Sequence, residues 1–285
     1  MERPGDAGVT SLVSVASMVV RAERTMSHVT YPVRPRRVEV TAVRDLTPRM
    51  RRVTLAADDL RDLPTGGPTD HLKLFFPPAG SDDPVEPEIG PRGLVAPPAG
   101  TPRPYREYTV RRHDPAAGEL DVDFVLHGHG LAGGWAADAR PGRTLWALGP
   151  RTSAVVAPRD WYLVGGDETA LPAIGRWLET LPAGAPVTVL AEVADADAEQ
   201  DLPTAADATI RWLHRDGAAP GTTHLLSDAL DGFTPPPGEG FAWMGAEAAA
   251  LRPVRRRLRD EVGLGAEAVD LDGYWRRGVE GTGLG

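Results

Sequence analysis

The chain has 285 residues, of which 41% are apolar and 25% charged, enough for two domains that each bury a core and unlike either a disordered or a membrane-protein composition. A formal net charge of -9 argues against a nucleic-acid partner, which would need a broad basic face, though not against a local basic pocket. The absence of cysteine excludes disulfides, thiolate zinc sites, cysteine nucleophiles and cysteine-held iron-sulfur clusters, so any redox chemistry must be carried by a bound cofactor.

Residues 1–33 read as an extension. The weakly apolar run 9–20 is too short to span a bilayer, and Arg3 is balanced by Glu2 and Asp6 rather than sitting in the basic cluster of a signal peptide. Domain-like sequence opens at Met26. Strand patterns follow at 36–43 and 50–57, and a third at 70–76 (D-H-L-K-L-F-F) puts His71, Lys73 and Phe75 on one face and Leu72, Leu74 and Phe76 on the other. Pro77 stops it, and 77–104 is a long Pro- and Gly-rich loop without periodicity.

The stretch 105–111 (Y-R-E-Y-T-V-R) alternates as a strand with Arg106, Tyr108 and Val110 on one face. Arg106 can fork onto a phosphate, Tyr108 can lie against a planar heterocycle, and Thr109 can hydrogen-bond a ring nitrogen; the same pattern also suits a barrel strand with a surface Arg and a packing Tyr. A clean strand at 119–128 leads through glycines into a short helix at 131–139, where bare backbone amides could approach a phosphate. Residues 143–149 look like the closing strand. Several short strands with turns between them predict an antiparallel Greek-key barrel over 34–156.

From residue 157 strands and helices alternate. Strands are expected at 161–165, 186–193, 210–214 and 241–244, and helices through 180, at 224–230 and at 247–262, the rhythm of a parallel sheet with crossover helices over 157–285. Ligands of such sheets bind beyond the carboxyl ends of the strands, here 165–169 and 245–247.

The ordered set D-H-L-K-L-F-F-P (70–77), R-E-Y-T-V-R (106–111), D-F-V-L-H-G (123–128), G-D-E-T-A-L-P-A-I (166–174), W-M-G-A-E (243–247) and G-Y-W-R-R-G (273–278) resembles the siderophore-interacting protein family, ferric-siderophore reductases of the ferredoxin-NADP reductase superfamily. The resemblance implies an N-terminal FAD-binding barrel and a C-terminal domain for NADH or NADPH. It places Arg106 on the flavin diphosphate, Tyr108 on the ring, Thr109 and Val110 beside it, and His127, Gly128, Gly133 and Trp135 around the diphosphate. Gly166, Asp167, Glu168, Thr169 and Ala170 would receive the nicotinamide cofactor, with Glu247 in the same crevice. Family members often carry a Gly-Pro-Ala-like run where this chain has G-L-A-G-G at 130–134. The absence of G-x-G-x-x-G argues against a dehydrogenase-type nucleotide site.

The implied reaction takes electrons from NAD(P)H through FAD to Fe(III) in a siderophore and releases Fe(II) in the cytoplasm. No protein ligand to the metal is needed, and the histidines show no ligand spacing. An anionic chelate needs positive charge beside the flavin, for which Lys73, Arg276 and Arg151 are the candidates; Lys73, the only lysine, could equally be a solvated strand residue. Trp275 either covers the flavin or pins the tail, and the arginines of 252–259 read as a solvated helix face. Glu192, after the second strand of the nucleotide domain, leans toward NADH or is simply a strand-end acid. The chain is expected to be a monomer, with a ferredoxin as a possible partner; the rival functions are a flavin reductase serving a protein acceptor and a siderophore-binding module without redox activity.

Overall fold

The computed structural model describes residues 21–22, 26–128 and 130–279. Its first half contains β1 (Arg21–Ala22), β2 (Met26–Thr30), β3 (Pro35–Thr47), β4 (Met50–Ala56), β5 (His71–Phe75), β6 (Ile89–Gly90), β7 (Gly93–Leu94), β8 (Tyr105–Thr109), β9 (Arg112–Asp114), β10 (Glu119–Val125), α1 (Leu131–Ala137), β11 (Thr144–Leu148) and β12 (Thr152–Val156). The second half contains β13 (Trp161–Gly166), α2 (Leu171–Thr180), β14 (Pro186–Val193), β15 (Asp207–His214), α3 (Leu225–Asp228), β16 (Gly240–Glu247), α4 (Leu251–Asp260) and β17 (Val269–Trp275).

Seven antiparallel strands form one sheet in the order β8-β5-β11-β3-β4-β10-β9. Its edge strands β8 and β9 are separated in the chain only by Val110 and Arg111, and the Arg111 N–H donates to the Asp121 carbonyl at 2.9 Å. One bent run of chain therefore belongs to both edges and closes the sheet into a barrel, leaving no open edge between them. Strand alternation fills the interior with Val38, Val40, Val53, Leu55, Leu72, Leu74, Leu120, Val122 and Phe124, each at most 1% exposed. The second sheet is parallel, in the order β15-β14-β13-β16-β17. Its order reverses at β13, so the crevice for a ligand lies above the carboxyl ends of β13 and β16.

The sequence reading and the structure part at three places. Residues 26–30, assigned to the extension, are a strand paired with β12, because the alternating residues on both match in register from Thr30↔Thr152 to Met26↔Val156. The rest of that extension, residues 1–20 and 23–25, and the weakly apolar run 9–20 lie outside the described residues. The long loop after Pro77 carries the hairpin β6–β7, and Arg103 folds back over the Phe75 ring at 5.8 Å. The segment 269–275, to which the sequence reading gave no element, is the fifth parallel strand, paired with β16.

The two halves are joined around the bend between β8 and β9. On α2, Arg176 donates to the Val110 carbonyl at 2.9 Å, and Glu179 takes a two-pronged bond from Arg111 at 2.7 and 3.0 Å. Met50 of the barrel is buried in the second domain's core, with Met26, Leu46, Val125 and Val156 packed against the same cluster. Among the described residues no helix is long and apolar enough to cross a membrane.

Candidate functional site

β8 sets the geometry. Pairing with β5 puts Arg106 opposite Leu74 and Tyr108 opposite Leu72, so the two side chains leave the same face of the strand. Tyr108 is half-buried and its ring rests on Phe124 with centroids 4.3 Å apart. Phe124 in turn touches Trp135 at 5.7 Å, which ties β8 through β10 to α1. Burial pushes the Tyr108 phenol up, with the nearby Arg106 charge pulling the other way, so the ring stays neutral.

Arg106 is half-buried, and among the described residues its one hydrogen bond is to the adjoining Tyr105 carbonyl at 2.8 Å. Among the described residues no carboxylate pairs with it. Most neighbouring arginines are neutralised in place: Arg52 by Asp123, Arg111 by Glu179, Arg112 by Asp121 and Glu119. A half-buried guanidinium with spare donors suits an anionic oxygen. Thr109, at the other end of β8, is 6% exposed and lies near the Tyr274 hydroxyl of β17. The strand thus offers a polar contact at the domain junction and a free cation about 10 Å back along the barrel.

The turn into α1 holds Gly128 and Gly130 at φ +75° and +79°, conformations that side chains resist. A Cβ on Gly128 or Gly134 would meet nothing within 4 Å, so backbone is exposed there, whereas Gly133 lies against the His127 ring. A ring platform, a spare guanidinium and bare backbone fit a flavin dinucleotide. Val110 is fully buried in the barrel core and Trp135 is wedged between Phe76 and Phe124, so both side chains brace the site from behind.

In the second domain, Asp167 binds together the carboxyl ends of three strands. It accepts from Thr169 N at 3.0 Å, Glu247 N at 3.0 Å and Trp275 Nε1 at 2.8 Å. Burial pushes its carboxyl up, and the bonds from Thr169 and Trp275 oppose that. Trp275 is thereby pinned to the parallel sheet. Glu247 braces the turn that leads into α4, accepting from Ala249 N at 2.6 Å and Ala250 N at 2.9 Å. Glu168 is gripped by Arg215, which also reaches Glu192 at 3.4 Å, and Glu192 accepts from Thr223 at 3.0 Å. These carboxylates hold the crevice together, and the Glu192 argument for NADH falls because its oxygens are already engaged. Gly166, facing Gly245 across β13 and β16, leaves no room for a side chain, and Ala170 is fully buried against it, so backbone rather than side chains lines the crevice floor.

The three candidate cations separate. Lys73 is ion-paired with Glu107 and lies 4.7 Å over the Tyr105 ring, so its charge is partly offset where it stands. Arg151 is exposed, just beyond Gly149, whose backbone packs on the His71 carbonyl. Arg276 instead lines a cleft with Arg252, which the sequence reading left on a solvated helix face, and with Arg277, which it did not single out. The doubled arginine in G-Y-W-R-R-G was the available signal. On β17 the alternation puts Asp270, Asp272 and Tyr274 on one face; burial and the Asp272 charge push Asp270 up to about 6, against the pull of Arg255.

The siderophore-interacting FAD-binding domain family matches residues 39–154, and the siderophore-interacting protein family matches residues 159–278. The crystal structure of a siderophore utilization protein from T. fusca superposes with a TM-score of 0.84 at 45% identity, covering 89% of this chain and 97% of that one. Ferric vibriobactin reductase ViuB of Vibrio cholerae is 33% identical over 89% of this chain and 93% of its own length. The NADPH-dependent ferric-chelate reductase of Escherichia coli is 32% identical, covering 84% and 92%. With a barrel that fits FAD, a parallel sheet behind it and relatives matching across both, the chain belongs to the siderophore-interacting protein family.

Proposed function

We propose that this protein is a ferric-siderophore reductase that draws electrons from a reduced nicotinamide nucleotide and delivers them to Fe(III) in an anionic chelate. The observation that carries the reading is the pairing on β8 of an uncompensated Arg106 with a Tyr108 ring backed by Phe124. The names of the two reductase relatives give the acceptor class. FAD supplies the conversion between a two-electron hydride donor and one-electron ferric iron.

The chain's residues have distinct tasks. Arg106 holds the diphosphate, with the backbone of the glycine turn at 128–134 as a second contact. Tyr108 fixes the plane of the ring, and its neutral phenol avoids placing an anion beside an electron-rich cofactor. Thr109, near Tyr274, offers a hydroxyl to the ring from the domain junction. Hydride donors enter above Gly166 and Gly245, where the absence of side chains allows close approach. Arg151, exposed and without an ion pair among the described residues, provides the cationic approach for the chelate. The softer ferrous ion then leaves the hard oxygen donors, and we place this release in the cytoplasm.

Rapid mixing of anaerobically reduced protein with a ferric catecholate in the presence of a ferrous trap tests this reading. Oxidation well above the rate with air, with ferrous iron appearing in step, is the expected result. Oxidation no faster than by air would favour a flavoprotein serving a protein acceptor, and a protein that binds the chelate without taking up FAD would be a binding module.

A further inference from the structure

We propose that Asp270 and Asp272 on β17 form a proton acceptor for the flavin site, reached from Thr109 through Tyr274 and opened to solvent at His71. The inference rests on the reading of β8 as the strand that holds the flavin ring. The need for an acceptor follows from the electron count. A hydride is two electrons and a proton; two ferric ions take the electrons one at a time, and the proton is left to be removed.

The domain junction gathers the groups for this. His71 and Thr109 are cross-strand partners on β5 and β8, so their side chains leave the same face of the barrel. On the facing strand, the pairing of β17 with β16 shifts register between Ala246 and Glu247 and leaves Tyr274 without a partner. A bulge of this kind re-aims the side chain it carries. The Tyr274 ring packs on Trp243 with centroids 6.2 Å apart and lies near the Thr109 hydroxyl. Two residues back, Asp272 accepts from Trp243 Nε1 at 3.3 Å, and both Asp272 and Asp270 are half-buried. Among the described residues the Asp270 carboxylate makes neither a hydrogen bond nor an ion pair. The charges facing the pair are His71 of β5 toward Asp272 and Arg255 of α4 toward Asp270, while Asp167 acts on Tyr274.

The electrostatics suit a base that works near neutral pH. Burial pushes both carboxyls up; the Asp272 charge adds to this at Asp270, which reaches about 6, while the Trp243 bond and His71 pull Asp272 back. A pair that gives up its last proton near pH 6 is ionised at pH 7 and still basic enough to take a proton. Burial, aided by the Asp272 charge, pushes the Tyr274 phenol up, so it passes protons without resting as a phenolate. In the transfer the Thr109 oxygen takes the proton from the ring nitrogen and gives its own to Tyr274, and the phenol proton moves to Asp272. The exposed His71 imidazole then carries it to water. The step moves one proton and no electrons.

The test is anaerobic stopped-flow oxidation of the reduced, FAD-loaded protein by ferricyanide, a one-electron acceptor that takes no proton, between pH 5 and pH 7.5. At pH 7.5 Asp272→Asn should be oxidised about 10- to 100-fold more slowly than the parent, while its bleaching by NADPH changes less than about twofold, because arrival of a hydride asks nothing of the base. The parent should lose about 10-fold in oxidation rate from pH 7.5 to pH 5 as the pair takes up its proton, and the variant should show no such loss. Arg255→Ala, at an exposed helix position, should keep the pH 7.5 rate and move the midpoint of the parent's profile up by about 0.5 pH. In spectroelectrochemical titration the flavin potential of the parent should bend near pH 6, and that of Asp272→Asn should not. Coincident profiles of rate and potential for parent and Asp272→Asn overturn the inference and leave the reductase reading intact. So does an equal slowing of bleaching and oxidation, which would make Asp272 a structural residue. A parent protein that NADPH does not bleach sinks both readings.

Discussion

Replacing Arg106 with alanine is expected to weaken FAD binding about 10- to 100-fold, the loss of one or two charge-assisted hydrogen bonds at about 1.5–3 kcal/mol, without destabilising the apo-protein. The second half of that expectation comes from the structure. Among the described residues Arg106 donates only to the Tyr105 carbonyl beside it, so no buried partner is stranded when it is removed. Fluorescence titration of apo-protein with FAD, together with a urea unfolding curve, measures both quantities. Arg106→Lys should recover part of the affinity, since charge is kept and the fork is lost. An unchanged FAD affinity in Arg106→Ala would remove the guanidinium from the diphosphate. Tyr108→Ala is a less clean probe, because the ring also packs on Phe124 and its loss would disturb the barrel.

Replacing Arg215 with methionine is expected to cost about 3–5 kcal/mol of stability, the largest effect of any single change to a charged residue in the second domain. The Arg215 side chain is 3% exposed and lies between Glu168 and Glu192, at 9% and 5%. Removing it leaves two buried carboxylates whose remaining bonds do not offset their desolvation. The pH dependence has a definite sign. Burial already raises the Glu192 carboxyl above its ordinary 4.5, with Thr223 and Arg215 pulling it back. Without Arg215 it rises further. A carboxyl with a raised folded pKa favours the folded state in its protonated form, so the deficit of the variant is greatest at neutral and alkaline pH and shrinks as the pH falls through that raised value. Urea midpoints for parent and Arg215→Met between pH 8 and pH 5 should converge toward acid; parallel curves would mean that the carboxylates are not the cause. Adding Glu168→Gln and Glu192→Gln should recover part of the loss.

The alternation rule carried most of the fold. Val38, Val53, Leu72 and Leu120 each declared an inward face, and the change to strand-helix rhythm after residue 157 declared a parallel sheet. Short or two-faced strands were harder. β12 is five residues after a proline and makes sense only against Met26–Thr30, which looks like part of an extension. β17 carries D-L-D-G-Y-W, whose half-buried acids imitate a loop. At the site, the order of residues on β8 was visible, but the local fate of each charge was not. Lys73 and Arg106 look alike as cations on neighbouring strands, and the difference is that Glu107 stands opposite Lys73 in the register while no acid stands opposite Arg106. Likewise Asp167, Glu168 and Glu192 are acids in the expected crevice, yet their partners Trp275, Arg215 and Thr223 come from distant parts of the chain and could not be paired by spacing.

The most direct test is the visible absorption spectrum of the purified protein during anaerobic titration with NADPH. The account predicts flavin bands that bleach as one NADPH is added per bound FAD and return when a ferric chelate is admitted. A colourless protein that cannot be reconstituted with FAD would contradict it.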